Sequence, residues 1–224
     1  MNRTKIEWTD YTWNPITGCK HGCWYCYAKK LSQRFKKIFP NGFEPTFYPE
    51  RLKEPYEVKK TSKIFVCSVA DLFAPWTPRE WTAEVLDSML FCPIKHTFQM
   101  LTKNPERINI SEVRPIYPKN WWFGTTVSTQ EECWRIDELR QVDAKVRFVS
   151  FEPLLGEIEP DLHDIQWVII GKLTGSKRVK LDMAWVMKIS AECSRKKIPV
   201  FFKNNLGLLN PRQEFPKLLV GDKP

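Results

Sequence analysis

Residues 121–131 read WWFGTTVSTQE, a short apolar run followed directly by a helix start. Trp121–Val127 has the length and the apolar character of a strand that is buried on both faces, as strands of parallel sheets are. Ser128 and Glu131 stand three residues apart, which is the spacing of a capping box. The segment therefore predicts a strand that leads into a helix over Cys133–Val142.

The same alternation recurs on both sides of this segment. Thr77-Pro78-Arg79-Glu80 predicts the start of a helix over Trp81–Phe91, and Asp182 can cap a helix over Met183–Arg195. The other predicted strands are Tyr11–Ile16, Lys63–Val69, Thr97–Leu101, Val146–Phe151, Gln166–Ile170 and Pro199–Phe202. Strands that alternate with helices in this way predict an α/β protein built on a parallel sheet.

The length of the chain narrows the fold class. With 224 residues the chain is shorter than the about 250 residues of a typical eightfold barrel. We therefore predict an incomplete TIM-like (β/α)6–7 barrel, with an open doubly wound sheet as the alternative. No internal repeat, low-complexity segment or linker interrupts the pattern, so one domain over residues 1–224 is expected.

The composition is that of a globular protein, with 42% apolar and 27% charged residues. No stretch approaches the roughly 18 apolar residues of a membrane span. The N-terminal segment Met1–Trp8 lacks the apolar core of a signal peptide. A cytoplasmic location without membrane association is the expectation.

The chain carries a net charge of +9, which favours a polyanionic partner. The basic residues are concentrated in Lys29–Lys37, which reads KKLSQRFKK, and in Arg51–Lys63. Two solvated helix faces are the alternative explanation. Ten tryptophans and fourteen phenylalanines supply many aromatic rings, a few of which could stack on nucleic acid bases if they are exposed.

Three of the seven cysteines form a local group. Cys19, Cys23 and Cys26 have the spacing C-x3-C-x2-C, and Gly18 and Gly22 allow the tight turns that bring three thiolates together. An odd number of mostly scattered cysteines does not suit a secreted disulfide framework. A cubane iron–sulfur cluster held by three cysteines would leave one iron without a protein ligand.

A structural zinc site or a loop of free thiols is the alternative for these cysteines. Structural zinc takes four ligands, usually from two separated pairs, and no second C-x2-C pair is present. His21 lies inside the loop, too close in sequence to its neighbours to serve easily as the fourth ligand.

The cysteine motif, with Tyr25 before its last cysteine, resembles the signature of the radical SAM superfamily. The longer string Trp13–Ala28, WNPITGCKHGCWYCYA, resembles small phage- and prophage-associated radical-SAM-like proteins of unassigned function. Spore photoproduct lyase-like proteins are more distant relatives in this resemblance. Further matching segments are Ser68–Phe73, Leu101–Lys103, Phe151–Gly156 and Phe201–Lys203.

The resemblance implies an enzyme with a 4Fe-4S cluster on Cys19, Cys23 and Cys26. Such an enzyme receives an electron from a donor such as flavodoxin or ferredoxin and cleaves S-adenosyl-L-methionine to a 5′-deoxyadenosyl radical, which modifies or repairs a substrate. The charge and the phage association favour a nucleic acid base or nucleotide as substrate. The alternative is a metal-stabilised nucleic-acid-binding module without catalysis.

Polar residues follow several predicted strands, where α/β proteins place their sites. The resemblance implies that Ser68 and Asp71 bind the methionine part of S-adenosylmethionine and that Tyr25 packs near its adenine. Ser128 and Glu152 are candidates for its ribose or methionine groups. Helix capping is the alternative role for Asp71 and Ser128.

Three more residues are candidates for a role in substrate binding or catalysis, and one loop departs from the resembled family. Lys103 and Lys203 can hold a carboxylate or phosphate of the substrate, with a surface location as the alternative. Cys67, in a predicted strand, can return a hydrogen atom to a substrate radical or simply fill the core. After Trp167–Ile170 the resembled family usually reads Gly-Gly-Glu-Ser-Gly, but Gly171–Gly175 reads GKLTG, with leucine in place of the carboxylate.

Overall fold

The computed structural model describes residues 1–109, 117–175 and 179–217. The chain divides into two compact units, Met1–Thr102 and Lys103–Pro224. The expectation of a single domain over residues 1–224 stays a prediction. Among the described residues, none of the helices has the length and apolar character that crossing a bilayer requires.

The first unit is built on three parallel strands, β2, β5 and β6, with β1 antiparallel to β2 at the edge. A separate antiparallel pair joins β3 to β4. Two α-helices, α1 and α2, complete the unit, together with short 3-10 turns at Pro49–Arg51 and Glu54–Glu57. The bounds are β1 Asn2–Arg3, β2 Tyr11–Trp13, β3 Ile16–Thr17, α1 Tyr27–Arg34, β4 Thr46–Phe47, β5 Lys63–Val66, α2 Arg79–Leu90 and β6 Thr97–Thr102.

The described residues of the second unit form four strands in the order β7, β8, β9, β10, and the pairings between them are parallel. Its 3-10 turns are Pro105–Arg107, Gln130–Glu132 and Asn204–Leu206. The bounds are β7 Trp121–Thr126, α3 Trp134–Arg140, β8 Val146–Phe151, β9 Trp167–Ile170, α4 Met183–Lys196 and β10 Val200–Phe202.

The predicted fold class is confirmed. The chain is mixed α/β, its strands are mostly parallel and alternate with helices, and the sheet does not close on itself, as expected for an incomplete TIM-like barrel. The predicted strand Val146–Phe151 agrees at both ends with β8. The strand predicted over Lys63–Val69 was three residues too long, because Cys67 takes a left-handed backbone with φ of 56° and ends β5 at Val66.

The predicted helix caps were correct in one case and wrong in detail in two. Asp182 caps α4 as expected, since its Oδ1 accepts a hydrogen bond from the Ala184 amide at 2.8 Å. Thr77 does not cap α2: its hydroxyl is buried and donates to the Asp71 carbonyl at 2.9 Å. At Ser128 the predicted partner Glu131 is replaced by Glu132, whose carboxylate accepts from the Ser128 amide at 2.6 Å, and the N-cap of the following turn is Thr129.

Large aromatic side chains fill the core of the second unit. Trp167 and Phe148 are fully buried and their ring centroids lie 5.4 Å apart. Gly124 on β7 makes room for this packing, because a Cβ at that position would come within 2.4 Å of the Phe148 ring. Burial of these strands on both faces explains why their sequences read as continuous apolar runs.

We predict that Gly124→Ala lowers the free energy of unfolding by about 1–3 kcal/mol, because the added methyl group overlaps the Phe148 ring. Gly156→Ala is the matched control, since a Cβ there meets nothing within 4 Å. The control is expected to change stability by no more than about 0.5 kcal/mol. Urea unfolding measures both variants, and equal midpoints for the two would contradict the close approach at Gly124.

Candidate functional site

The cysteine loop, residues 18–26, runs from the end of β3 to the start of α1. The Cys19 amide donates a hydrogen bond to the Phe43 carbonyl at 3.1 Å, and the Cys26 amide donates to the Cys23 carbonyl at 3.1 Å. Cys26 is the N-cap of α1, and its Sγ accepts from the Lys29 amide at 3.4 Å. Backbone hydrogen bonds and a helix start therefore fix the positions of all three cysteines.

Glycine is required at one point of this loop by close packing. Gly18 has φ of +87°, and a Cβ there would lie 2.2 Å from the Glu44 carbonyl oxygen. Gly22 also has a positive φ, +69°, but a Cβ there would meet nothing within 4 Å. The expectation that both glycines allow tight turns is confirmed, and Gly18 additionally lets the loop lie against the segment that precedes β4.

The three thiols are close enough to influence one another. All three cysteines are free and partly exposed. Burial raises the pKa of the Cys19 thiol to about 12, a hydrogen bond from the His21 backbone opposes the rise, and the charges of Asp71, Cys23 and Cys26 add to it. Cys26 lies at the N-terminus of α1, so the cysteine loop ends where this helix begins.

The donor set fits a cubane cluster. In the described ranges, no group of three or more His, Cys, Asp or Glu side chains is gathered around a single ion position. A cubane makes a different demand, because each cysteine binds its own iron atom. Three neighbouring, partly exposed thiols on one short loop meet that demand, and Cys19, Cys23 and Cys26 are the residues that would hold the cluster.

Asp71, after the carboxyl end of β5, ties the cysteine loop to the strands. Its Oδ2 lies 2.8 Å from Nε2 of His21. Its Oδ1 accepts from the Thr102 hydroxyl at 2.6 Å and from the Phe73 amide at 3.1 Å. The His21 ring also packs edge-on against Trp76, with centroids 4.7 Å apart. Asp71 is 4% exposed and is buried together with Thr102 and Phe73, whereas His21 is partly exposed.

Sequence reasoning missed the role of His21, which was considered only as an unsuitable fourth metal ligand. The one feature of the sequence that could have indicated this contact was a histidine inside a loop that must lie near polar strand ends. Asp71 follows β5 as predicted, but it does not cap a helix, because the Phe73 amide that donates to its carboxylate lies in a turn and α2 begins only at Arg79. Binding of S-adenosylmethionine by Asp71 stays a prediction.

Ser68 lies beside the same loop. Its hydroxyl donates to Asn14 Oδ1 at 3.1 Å, and its carbonyl accepts from the Tyr27 hydroxyl at 2.6 Å. Tyr25, predicted to pack near adenine, is partly exposed and contacts Trp24 edge-on at 5.4 Å between centroids. The structure thus gathers Ser68, Tyr25 and Asp71 around the cysteine loop.

Cys67 does not occupy the regular strand position that was expected. It follows β5 with a left-handed backbone, so strand alternation does not determine its direction. It is 2% exposed, and burial raises the pKa of its thiol to about 12. A core role fits this environment, and a hydrogen-donor role stays a prediction.

In the second unit two predicted residues pair with each other. Lys203 Nζ and the Glu152 carboxylate form a salt bridge, with both side chains mostly buried. Gly171 lies against them: a Cβ there would come within 3.0 Å of Lys203 Cδ and 3.1 Å of Glu152 Oε1. Sequence reasoning had assigned Glu152 to the cofactor and Lys203 to the substrate, without expecting the pair.

Two further predicted residues belong to this unit. Ser128 is buried two residues after the end of β7, and Lys103 is partly exposed. The departing loop is held through its backbone, because the Lys172 amide donates to Asn205 Oδ1 at 3.2 Å and its carbonyl accepts from Asn205 Nδ2 at 3.0 Å. These contacts use no side-chain atom of Lys172, so they do not explain the replacement of glycine by lysine.

The fold is similar to that of spore photoproduct lyase. Two solved structures match, one complexed with dinucleoside spore photoproduct (TM-score 0.52, 10% identity) and one of a doubly substituted mutant with bound AdoMet and dinucleoside spore photoproduct (TM-score 0.53, 11% identity). In both matches 81% of this chain is covered, and the chain spans 65% of the length of the lyase chain. At this identity the likeness shows the fold alone.

The chain belongs to the family described as "Protein of unknown function (DUF5131)", whose model matches residues 3–214. No curated protein matches the sequence. The expected distant resemblance to spore photoproduct lyase is supported at the level of fold, whereas membership of the radical SAM superfamily and the association with phage proteins stay predictions.

We predict that Gly18→Ala is much more damaging than Gly22→Ala. Both add the strain of a side chain in a left-handed conformation, about 1–2 kcal/mol. Only Gly18→Ala also forces a methyl group against the Glu44 carbonyl, which should cost about 1–3 kcal/mol more. Urea unfolding of the two variants measures the difference, and equal losses would show that the loop does not pack against residue 44.

Proposed function

We propose that this protein is a radical SAM enzyme with a 4Fe-4S cluster on Cys19, Cys23 and Cys26. The observation that carries the proposal is the loop with three free, partly exposed cysteines, which the contact of His21 with Asp71 holds beside the carboxyl end of β5. The likeness of fold to spore photoproduct lyase, one structure of which holds AdoMet, supports it. Such a cluster supplies an electron and an open iron at which the sulfonium C–S bond of S-adenosylmethionine is cleaved to a 5′-deoxyadenosyl radical.

The residues of the first unit would orient S-adenosylmethionine. Asp71 and Ser68 are proposed to hold the methionine amino group, since a carboxylate and a hydroxyl are acceptors for an ammonium group. The hydrogen bonds of Asp71 to His21 and Thr102 keep that carboxylate in a defined position beside the loop. Tyr25 is proposed to pack against the adenine ring.

Four residues of the second unit are also proposed to bind ligands. Ser128 and Glu152 would bind the ribose hydroxyls or the methionine group, and Lys103 and Lys203 would hold an anionic group of the substrate. The salt bridge with Glu152 restrains the Lys203 ammonium. A nucleic acid base or nucleotide is the proposed substrate, and the net charge of +9 and the dinucleoside ligand of the structural relatives support that choice. The electron donor would be a flavodoxin or ferredoxin.

We predict that anaerobic reconstitution with iron and sulfide gives a brown protein, and that Cys23→Ala abolishes the colour. Loss of one thiolate removes one of the three cluster ligands. Cys133→Ala is the matched control, because Cys133 is also a partly exposed free cysteine but lies at the start of α3. Iron and sulfide analysis with visible spectroscopy measures both variants. A brown Cys23→Ala protein, or stoichiometric zinc in place of iron, would contradict the cluster assignment.

We also predict that the reconstituted protein, reduced with dithionite, converts S-adenosylmethionine to methionine and 5′-deoxyadenosine. The readout is chromatography of the reaction mixture, with Cys23→Ala as the inactive control and Cys133→Ala as the active one. Formation of a cluster without any 5′-deoxyadenosine would rule out the enzyme proposal while leaving cluster binding intact. That outcome would favour the metal-stabilised binding module.

A further inference from the structure

One exposed face of α1 begins at the cysteine loop. Tyr27, Lys30 and Arg34 are spaced i, i+3 and i+7, so they line one side of the helix, and all three are exposed. Ala28 and Ser32 are the buried residues of the helix. We call the surface of Tyr27, Lys30 and Arg34 the basic face.

The segment that contains this face is basic, although Lys20 at its start forms a salt bridge with Glu44 at 2.9 Å. Between Lys20 and Phe43 the chain contains six Lys or Arg residues and no Asp or Glu. The six basic residues, all exposed, are Lys20, Lys29, Lys30, Arg34, Lys36 and Lys37. A concentration of positive charge on one short segment attracts phosphate groups or another polyanion.

Exposed aromatic rings are interleaved with these charges. Tyr27 is 53% exposed, Trp24 is 46% exposed and Phe35 is 42% exposed. The Arg34 guanidinium lies 5.3 Å from the centre of the Phe35 ring. An acidic protein partner would require only the cations, whereas cations together with exposed rings are the features that bind single-stranded nucleic acid, through phosphate contacts and base stacking.

The position of the basic face connects it to the candidate site. Cys26 caps the helix on which the face lies. The Tyr27 hydroxyl donates to the Ser68 carbonyl at 2.6 Å, so the first residue of the face touches the segment that follows β5. A strand bound along α1 therefore leads to the cysteine loop.

We infer that the basic face of α1, together with Trp24, binds single-stranded nucleic acid and guides a nucleotide to the cysteine loop. Lys30 and Arg34 contact phosphates, and Tyr27 and Trp24 stack on bases. From Tyr27 to Arg34 the helix rises about 10 Å, which matches about three phosphates of a stacked strand. A single strand is required because a paired base could neither stack on these rings nor reach the loop. The inference rests on the proposed function, since it takes the nucleic acid to be the substrate.

The test is binding of a fluorescent oligothymidylate of about 20 nucleotides, followed by anisotropy between about 50 and 200 mM salt. Lys30→Glu/Arg34→Glu should weaken binding about tenfold or more and reduce the salt slope by about 1.4, the effect of two lost phosphate contacts on a single strand. Lys59→Glu/Lys60→Glu makes the same change in net charge at two other exposed positions and should stay within about twofold of the unaltered protein.

A second pair of variants tests stacking separately from charge. Tyr27→Leu should weaken binding about tenfold, whereas Tyr27→Phe keeps the ring, loses only the hydroxyl, and should remain within about twofold. Since neither variant alters charge, the salt slope should be unchanged in both.

Three results would overturn the inference. The first is no oligonucleotide binding at low salt. The second is equal weakening by the two double charge variants, which would indicate a general charge effect. The third is a Lys30→Glu/Arg34→Glu variant that binds the oligonucleotide as before but whose cluster is no longer reduced by flavodoxin hydroquinone. That result would show that the basic face binds an acidic protein. Formation of 5′-deoxyadenosine is measured on the unaltered protein without nucleic acid, so failure of the proposed function is seen independently.

Discussion

The hydrogen bond between His21 and Asp71 joins the two parts of the candidate site in the first unit. It connects the cysteine loop, which has little regular structure of its own, to the carboxyl end of a buried parallel strand. Asp71 is 4% exposed, and its other oxygen is held by Thr102 at the end of β6. A buried carboxylate with several donors is stable only when all of them are in place. The loop, β5 and β6 are therefore positioned together.

This arrangement explains why the loop needs the residues around it. Gly18 lets the chain pass against the Glu44 carbonyl, and Cys26 caps the helix that follows the loop. The same helix carries the basic face outward from the loop. One short segment thus contributes the proposed metal ligands, the tether to the strands and the proposed binding surface for substrate.

In the second unit, the salt bridge between Lys203 and Glu152 likewise depends on one glycine. Gly171 leaves the space in which Lys203 and Glu152 meet, and a methyl group there would touch both side chains. The backbone after Gly171 is held by the Asn205 side chain, which forms hydrogen bonds with both the amide and the carbonyl of Lys172. The contacts of this loop are therefore compatible with different side chains at Lys172, which is where the sequence departs from the pattern of the resembled family.

The α/β class, the strand positions and the cysteine motif could be predicted from the sequence, because buried parallel strands and closely spaced ligands are local patterns. Strand ends were predicted less well: β5 stops at Val66 because Cys67 adopts a left-handed backbone that its residue type does not reveal. The capping role of Thr77 was wrong because its hydroxyl turns inward to the Asp71 carbonyl, a partner that the helix pattern does not indicate.

What the sequence determined by itself was therefore the set of local features: alternating strands and helices, three thiols on one glycine-containing loop, and a basic segment after it. Only the tertiary structure decided which polar groups meet. The pairs His21–Asp71, Asp71–Thr102 and Glu152–Lys203 are separated by 50, 31 and 51 positions in the chain. Contacts over such distances depend on how strands and loops pack, and no short pattern of residues encodes that packing.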